Sequence, residues 1–201
     1  LGLLEAARDR GFSDLGLVTN GRRLGYERYL ARLLRAGVTR IVLSVAGHDD
    51  RLHDRVTQAP GTLLEVLRAV DLLTKQPLPV TLNVVACRST APHLPQLLRF
   101  YRDRADFAAV NVQVALPMGN AVVERETFAR FEELLPTVQE TLAGWDGPPL
   151  SIHNLPPCFL PDHPDAVLTD AYKGGRFLYE GGDTPIPFAD VVGRVLTHLP
   201  Y

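Results

Sequence analysis

The sequence predicts an α/β protein, an incomplete parallel β/α barrel with an irregular C-terminal tail. Three observations lead there. Helical apolar stripes alternate with short strand-like runs from Leu1 to Ala143, the pattern of βαβ units in a parallel sheet. Three of those runs pair an aliphatic face with a polar one. After Trp145 the alternation stops and Pro and Gly become frequent. The reading divides the chain into a partial barrel, 1–147, and an extension, 148–201.

The first stripe, Leu3-Leu4-Ala7, ends at Gly11 and reads as helix. Leu15 to Val18 is a short strand running into the turn Thr19-Asn20-Gly21. Tyr26, Tyr29, Leu30, Leu33 and Leu34 fall at helical spacing, with Gly37 as a stop. The Tyr26–Tyr29 stripe is expected to pack in the core. Arg40–Ala46 is strand, and Gly47 to Pro60 reads as a polar loop. Thr62 and Glu65 have capping-box spacing ahead of Leu63, Val66, Leu67, Val70 and Leu73. Pro79–Ala86 is strand, and Pro92 opens a helix through Tyr101. Ala109–Leu116 is strand, and Glu124–Ala143 is mostly helix, kinked or split at Pro136. In the tail, Leu150–His153 can form one more strand before the Pro156-Pro157-Cys158 bend. Val167–Tyr172 and Arg176–Tyr179 read as a hairpin around Gly174-Gly175, and Phe188–Leu199 as a last short helix.

Side chains alternate between the faces of a strand. One face of each of three strands carries Ile41, Leu43 and Val45; Val80, Leu82 and Val84; or Val110, Val112 and Val114. The opposite faces carry Ser44, Asn83, and Asn111 with Gln113. A sheet covered by helices on both sides is aliphatic on both, so the polar face points to the lumen of a barrel. There these groups either satisfy one another and ordered water or bind a ligand, since an unpaired buried amide costs about 1–3 kcal/mol.

Bulk properties narrow the function. A net charge of −2 over 201 residues gives no electrostatic footprint for nucleic acid. No apolar run approaches the roughly 20 residues that span a bilayer, and no signal peptide opens the chain. Two cysteines, Cys87 and Cys158, make no disulfide framework, and the cytoplasm is the expected compartment. The chain opens at Leu1, already in helix, and reads as part of something longer.

Four segments in order resemble the radical S-adenosylmethionine (radical SAM) superfamily. Gly16-Leu17-Val18-Thr19-Asn20-Gly21 is similar to its third strand and Thr-Asn-Gly turn. Ile41–Gly47 resembles the fourth strand, with the loop His53–Thr57 after it, and Val80–Val85 resembles the fifth. Val112–Ala121 looks like the sixth, ending in the Leu116-Pro117-Met118-Gly119 turn against which adenine lies. The resemblance implies a partial (β/α)6 barrel binding S-adenosylmethionine and a [4Fe–4S] cluster. It carries cofactor-binding roles to Thr19 and Asn20 in the turn, to Ser44 for the ribose or amino-acid part, and to Asn83 in the lumen. Leu116 would offer backbone groups to adenine, with Pro117 and Met118 shaping its pocket. No CxxxCxxC loop and no Gly-Gly-Glu-Pro segment occurs in the sequence. The chain therefore reads as a fragment of a radical SAM enzyme of unknown small-molecule or peptide substrate, inactive alone, with no catalytic residue assigned. A non-catalytic αβ binding protein on the same scaffold is the alternative.

Other clusters weigh less. Cys158 is expected as a buried or half-buried structural thiol, and Cys87 as packed at the barrel rim. His153, Cys158 and His163 match no standard zinc spacing. His48, Asp49, Asp50, His53 and Asp54 could hold a divalent metal in a hydrolase or isomerase, with a His53–Asp54 hydrogen-bonded brace as the simpler reading. An exposed sheet edge in a partial barrel implies self-association.

Overall fold

The computed structural model describes residues 1–116, 127–163, 165–167, 176–177 and 186–187. Helix α1 (Gly2–Asp9) leads into β1 (Gly16–Thr19), a 3₁₀ turn at Arg22–Gly25 and α2 (Glu27–Arg35). Then follow β2 (Arg40–Val45), α3 (Asp50–Thr57), α4 (Leu63–Leu73) and β3 (Val80–Ala86). A 3₁₀ turn at Ala91–His93 precedes α5 (Leu94–Arg102), β4 (Ala109–Val114), α6 (Phe131–Ala143) and β5 (Leu150–His153).

All five strands are parallel and lie in chain order, β1-β2-β3-β4-β5. Right-handed crossovers that never reverse direction put every helix on the same side of the sheet. A doubly wound sheet, by contrast, reverses its strand order partway. This is the layout of an incomplete parallel β/α barrel, as the alternation predicts. The helix-facing side is dry: Leu43, Leu82, Val84, Val112 and Ile152 have no measurable exposure. They form one core with Leu30 and Leu33 of α2, Val66, Ala69 and Val70 of α4, Leu97 and Leu98 of α5, and Leu134 and Val138 of α6. Each fully buried Leu or Val contributes about 1.5–3 kcal/mol, so this layer holds the sheet in shape.

Several expectations are revised. The Gly47–Pro60 stretch is not a loop throughout, because α3 occupies Asp50–Thr57. Asp49 caps it by accepting from the Leu52 N–H at 2.8 Å, and Leu52 and His53 are buried. The Thr62–Glu65 capping box does not form. The Thr62 hydroxyl donates instead to the Ala59 carbonyl at 2.8 Å, and Glu65 pairs with Arg22 at 2.5 Å. Helix α6 begins at Phe131, with Glu133 accepting from the Arg130 N–H; residues 127–130 of the expected helix are not part of it, and 124–126 lie outside the described residues. It runs unbroken through Pro136, whose ring lies on the exposed side while Leu134 and Val138 anchor the helix. The tail does contain an antiparallel pair, β6 (Arg176–Phe177) with β7 (Ile186–Pro187), while residues 168–172 of the expected hairpin lie outside the described residues. Val167 instead bridges Ile152 in parallel at the end of the sheet. The expected helix at Phe188–Leu199 lies outside the described residues.

Two glycines set the strand ends. Gly21 has φ +76°, and a Cβ there would run into the Leu43 side chain, which explains the glycine closing the Thr-Asn-Gly turn. A Cβ on Gly47 would overlap the backbone of His53, so α3 can lie against the end of β2 only if residue 47 has no side chain. The fully buried Tyr101 then donates its hydroxyl to the Gly47 carbonyl at 3.0 Å. Burial holds that phenol neutral, its pKa well above the ordinary 10.0.

A polar row on the open face of the sheet

Register decides which polar side chains meet. Ser44 lies beside Asn83, Asn83 beside Asn111, and Asn111 beside Ser151. Partners in register point to the same face of a parallel sheet, so these four residues form one row across β2, β3, β4 and β5. Gln113 and His153 are partners one step further toward the strand ends. The row is on the side away from the helices. Asn83 is buried, and Ser44, Asn111, Gln113, Ser151 and His153 are half-buried. The convergence expected of Ser44, Asn83 and Gln113 is present.

The hydrogen bonds divide the row in two. On one side Asn83 Nδ2 reaches Ser44 Oγ at 3.4 Å, a long and weak contact. Asn83 Oδ1 has no partner although it is buried. On the other side Ser151 Oγ donates to Asn111 Oδ1 at 3.0 Å and lies 3.0 Å from His153 Nε2. The hydroxyl has one proton, already given to Asn111, so Nε2 carries the imidazole proton and donates to Ser151. His153 Nδ1 is then an acceptor. Desolvation lowers the pKa of His153 below 6.5, keeping the ring neutral.

Other sequence-assigned residues fall differently. Thr19 is in register with Leu43, on the helix-facing side, and its hydroxyl accepts from the Gly21 N–H at 3.1 Å. It is not part of the polar row. Asn20 is exposed beyond the end of β1, with Oδ1 accepting from the Arg22 N–H at 3.4 Å. Leu116 follows β4 by two residues and is 43% exposed, while Pro117 and Met118 lie outside the described residues. Ser151 and His153 went unassigned to this face. Their signal was in the sequence, since Leu150-Ser151-Ile152-His153 repeats the aliphatic–polar alternation of the three longer strands.

The acidic loop behaves as a brace, not a metal site. His53 Nε2 lies 2.9 Å from Thr62 Oγ1, and Asp54 Oδ1 accepts from the Gly61 N–H at 3.2 Å. Each holds the start of α4 rather than the other. Among the described residues no three His, Cys, Asp or Glu side chains are grouped to hold a metal ion.

The family model of the radical SAM superfamily matches residues 2–101, which runs from α1 to Tyr101 of α5 and includes Ser44 and Asn83. The chain belongs to the radical SAM superfamily. A protein of Methanopyrus kandleri described as a probable GTP 3′,8-cyclase is 32% identical over 111 residues. The match covers 55% of this chain but only 34% of that relative, so the chain accounts for about a third of its length.

Radical SAM membership implies S-adenosylmethionine and a [4Fe–4S] cluster, and the residues can be tested against each. The thiols do not fit a cluster. Such clusters take about four ligands, mostly thiolates, while this sequence has two cysteines. Cys87 is buried with Sγ 3.4 Å from Thr90 Oγ1. Cys158 is exposed in the 3₁₀ turn Pro157–Phe159, against the expectation of a buried or half-buried thiol, because Phe159 is the residue that turns inward, onto Phe131. S-adenosylmethionine fits better. The unpartnered Asn83 oxygen requires a donor, which an ammonium or ribose hydroxyl provides, and Ser44 offers a hydroxyl beside it.

Proposed function

We propose that this chain is the S-adenosylmethionine-holding part of a cytoplasmic radical SAM enzyme acting on a small-molecule or peptide substrate. The observation that carries the reading is the in-register row from Ser44 to Ser151 on the open face, with Asn83 Oδ1 buried and unsatisfied. Leaving that oxygen unpaired costs about 1–3 kcal/mol, which a bound donor recovers. Ser44 would hold the ribose or amino-acid part of the cofactor, Asn83 would accept from it, and the Leu116 backbone would meet the adenine edge. When bound, S-adenosylmethionine supplies a sulfonium whose reductive cleavage starts radical chemistry. The electron would come from a cluster whose ligands this sequence lacks. His153, neutral and anchored through Ser151 to Asn111, is placed to orient a substrate that donates a hydrogen bond to Nδ1. The name of the Methanopyrus relative makes GTP the first substrate to try. No described helix is long and apolar enough to cross a membrane.

A second reading is a binding protein that keeps the scaffold without the chemistry. One experiment separates them. The full reading frame encoding this chain is expressed anaerobically, supplied with iron and sulfide, and assayed for S-adenosylmethionine binding and 5′-deoxyadenosine. Binding with turnover, both lost in Asn83→Leu, supports the enzyme. Binding without turnover supports the second reading, and no binding by either measure overturns both.

A further inference from the structure

Away from the polar row, at the carboxyl end of β1, the surface carries a groove of about 800 Å³. Its lining includes four arginines, Arg22, Arg23, Arg28 and Arg32, against one carboxylate, Glu65. The whole chain has a net charge of −2, so a local excess of three positive charges departs from the average of the molecule. Like charges gathered on one surface repel, and an anion placed among them relieves that repulsion.

The arginines are oriented but unspent. Arg22 gives Nε to Glu65 at 2.5 Å, and among the described residues its two terminal nitrogens have no hydrogen-bond acceptor. The Arg23 guanidinium lies 4.9 Å over the Tyr29 ring, a stacked geometry that limits its motion while leaving its edge N–H groups exposed. Arg28 and Arg32, one helical turn apart on α2, are exposed and form no salt bridge with described residues. Tyr26, expected in the core, is 59% exposed and lines the same groove. Guanidinium forks suit phosphate oxygens, and 800 Å³ is within the range of small-molecule sites.

A second observation lies at the inner end. Arg22 and Asn20 also line a cavity of about 90 Å³ with His53, Thr57 and Thr62. His53 is 2% exposed. Thr62 Oγ1 gives its proton to the Ala59 carbonyl, so His53 Nε2 donates to Thr62, and Nδ1 is a buried acceptor with no partner. His53, whose Nδ1 is a bare acceptor, lines a small cavity that shares two residues with the arginine groove, and this pairing fits a ligand bearing both hydroxyl and phosphate groups.

We propose that this groove binds a phosphorylated small molecule, its phosphates among Arg22, Arg23, Arg28 and Arg32 and a hydroxyl directed toward His53. The site is separate from the polar row and stands whether or not the cofactor reading does.

Calorimetry on the purified chain in low salt tests it with three probes: inorganic triphosphate, ATP and a ten-residue oligodeoxythymidylate. Triphosphate and ATP are expected to bind, ATP more tightly because it adds hydroxyls and a ring for Tyr26. Arg28→Glu with Arg32→Glu should weaken both by about tenfold or more, an effect of about 1.4 kcal/mol. Both positions are exposed, so the thermal transition of the variant should match wild type. A control pair, Arg51→Glu with Arg99→Glu, reverses two exposed arginines outside the groove and should leave affinity within about twofold. No binding of triphosphate or ATP, equal loss in the control pair, or an oligonucleotide binding more tightly than ATP would each overturn the assignment.

Discussion

The two faces of the sheet are made by the same five strands, yet they obey different rules. On the helix side, Leu43, Leu82, Val84, Val112 and Ile152 are sealed in apolar packing. On the open side the same strands present Ser44, Asn83, Asn111 and Ser151 in a single register, and one buried amide oxygen is left without a partner. The difference is one residue of alternation. A strand thus carries stability on one set of alternate positions and chemistry on the other, and the two can be mutated apart.

The sharpest test contrasts positions one residue apart. Leu82→Ala removes a fully buried side chain and is expected to cost about 2–5 kcal/mol, read as a lower urea midpoint. Its neighbour Asn83→Leu should behave oppositely. Replacing an unsatisfied amide with an apolar group is expected to leave stability unchanged or raise it by about 1–2 kcal/mol, while S-adenosylmethionine binding by the same protein is lost. A large destabilisation by Asn83→Leu would mean the amide is structural, and the division of labour between the faces would fail.

Val84 and Val85 give a milder version. Val84 has no measurable exposure and Val85 is 41% exposed. Val84→Thr buries a hydroxyl in the core and should cost about 1–3 kcal/mol, whereas Val85→Thr should stay within about 0.5 kcal/mol. Equal effects would show that the open face is as dry as the other.

The smallest expected effect is a pH dependence. Desolvation is the leading cause that lowers the pKa of both His53 and His153 from 6.5. Above 6.5 both rings are neutral, folded or unfolded, and their contribution is fully present. As pH falls below 6.5 the unfolded chain takes up protons that the folded chain resists, so stability declines until the lowered values are passed. Replacing either histidine with Gln should shallow the slope of melting temperature against pH between about 7 and 5. An unchanged slope in both variants would show that neither ring is desolvated enough to matter.

The sheet was legible because alternation is local. Arg40–Ala46, Pro79–Ala86 and Ala109–Leu116 each announce their two faces within seven or eight residues, and the observed strands fall inside them. Partner-dependent features were not legible. Thr62 and Glu65 have capping-box spacing, but His53 and Arg22 claim their side chains, and neither claim is visible in the helix itself. Helix α3 was hidden for a related reason, since His48, Asp49 and Asp50 read as loop until Asp49 is seen capping Leu52. Thr19 was given a cofactor-binding role from a motif, while its actual face depends on register with β2. Of the site, Ser44, Asn83 and Asn111 were readable. Ser151 and His153 carry the same alternation in a strand of only four residues, but their meeting with Asn111 depends on the pairing of β4 with β5.

The hydrogen bond from Tyr101 to the Gly47 carbonyl has a consequence for ligand entry. It fastens the segment after β2, immediately beyond Ser44, to a helix on the far side of the sheet through a group that no ordinary pH ionises. A molecule arriving at Ser44 therefore meets a wall already in position and spends little of its affinity on ordering it. Tyr101→Phe would keep the packing and release the tether, so its signature is weaker and slower binding rather than unfolding.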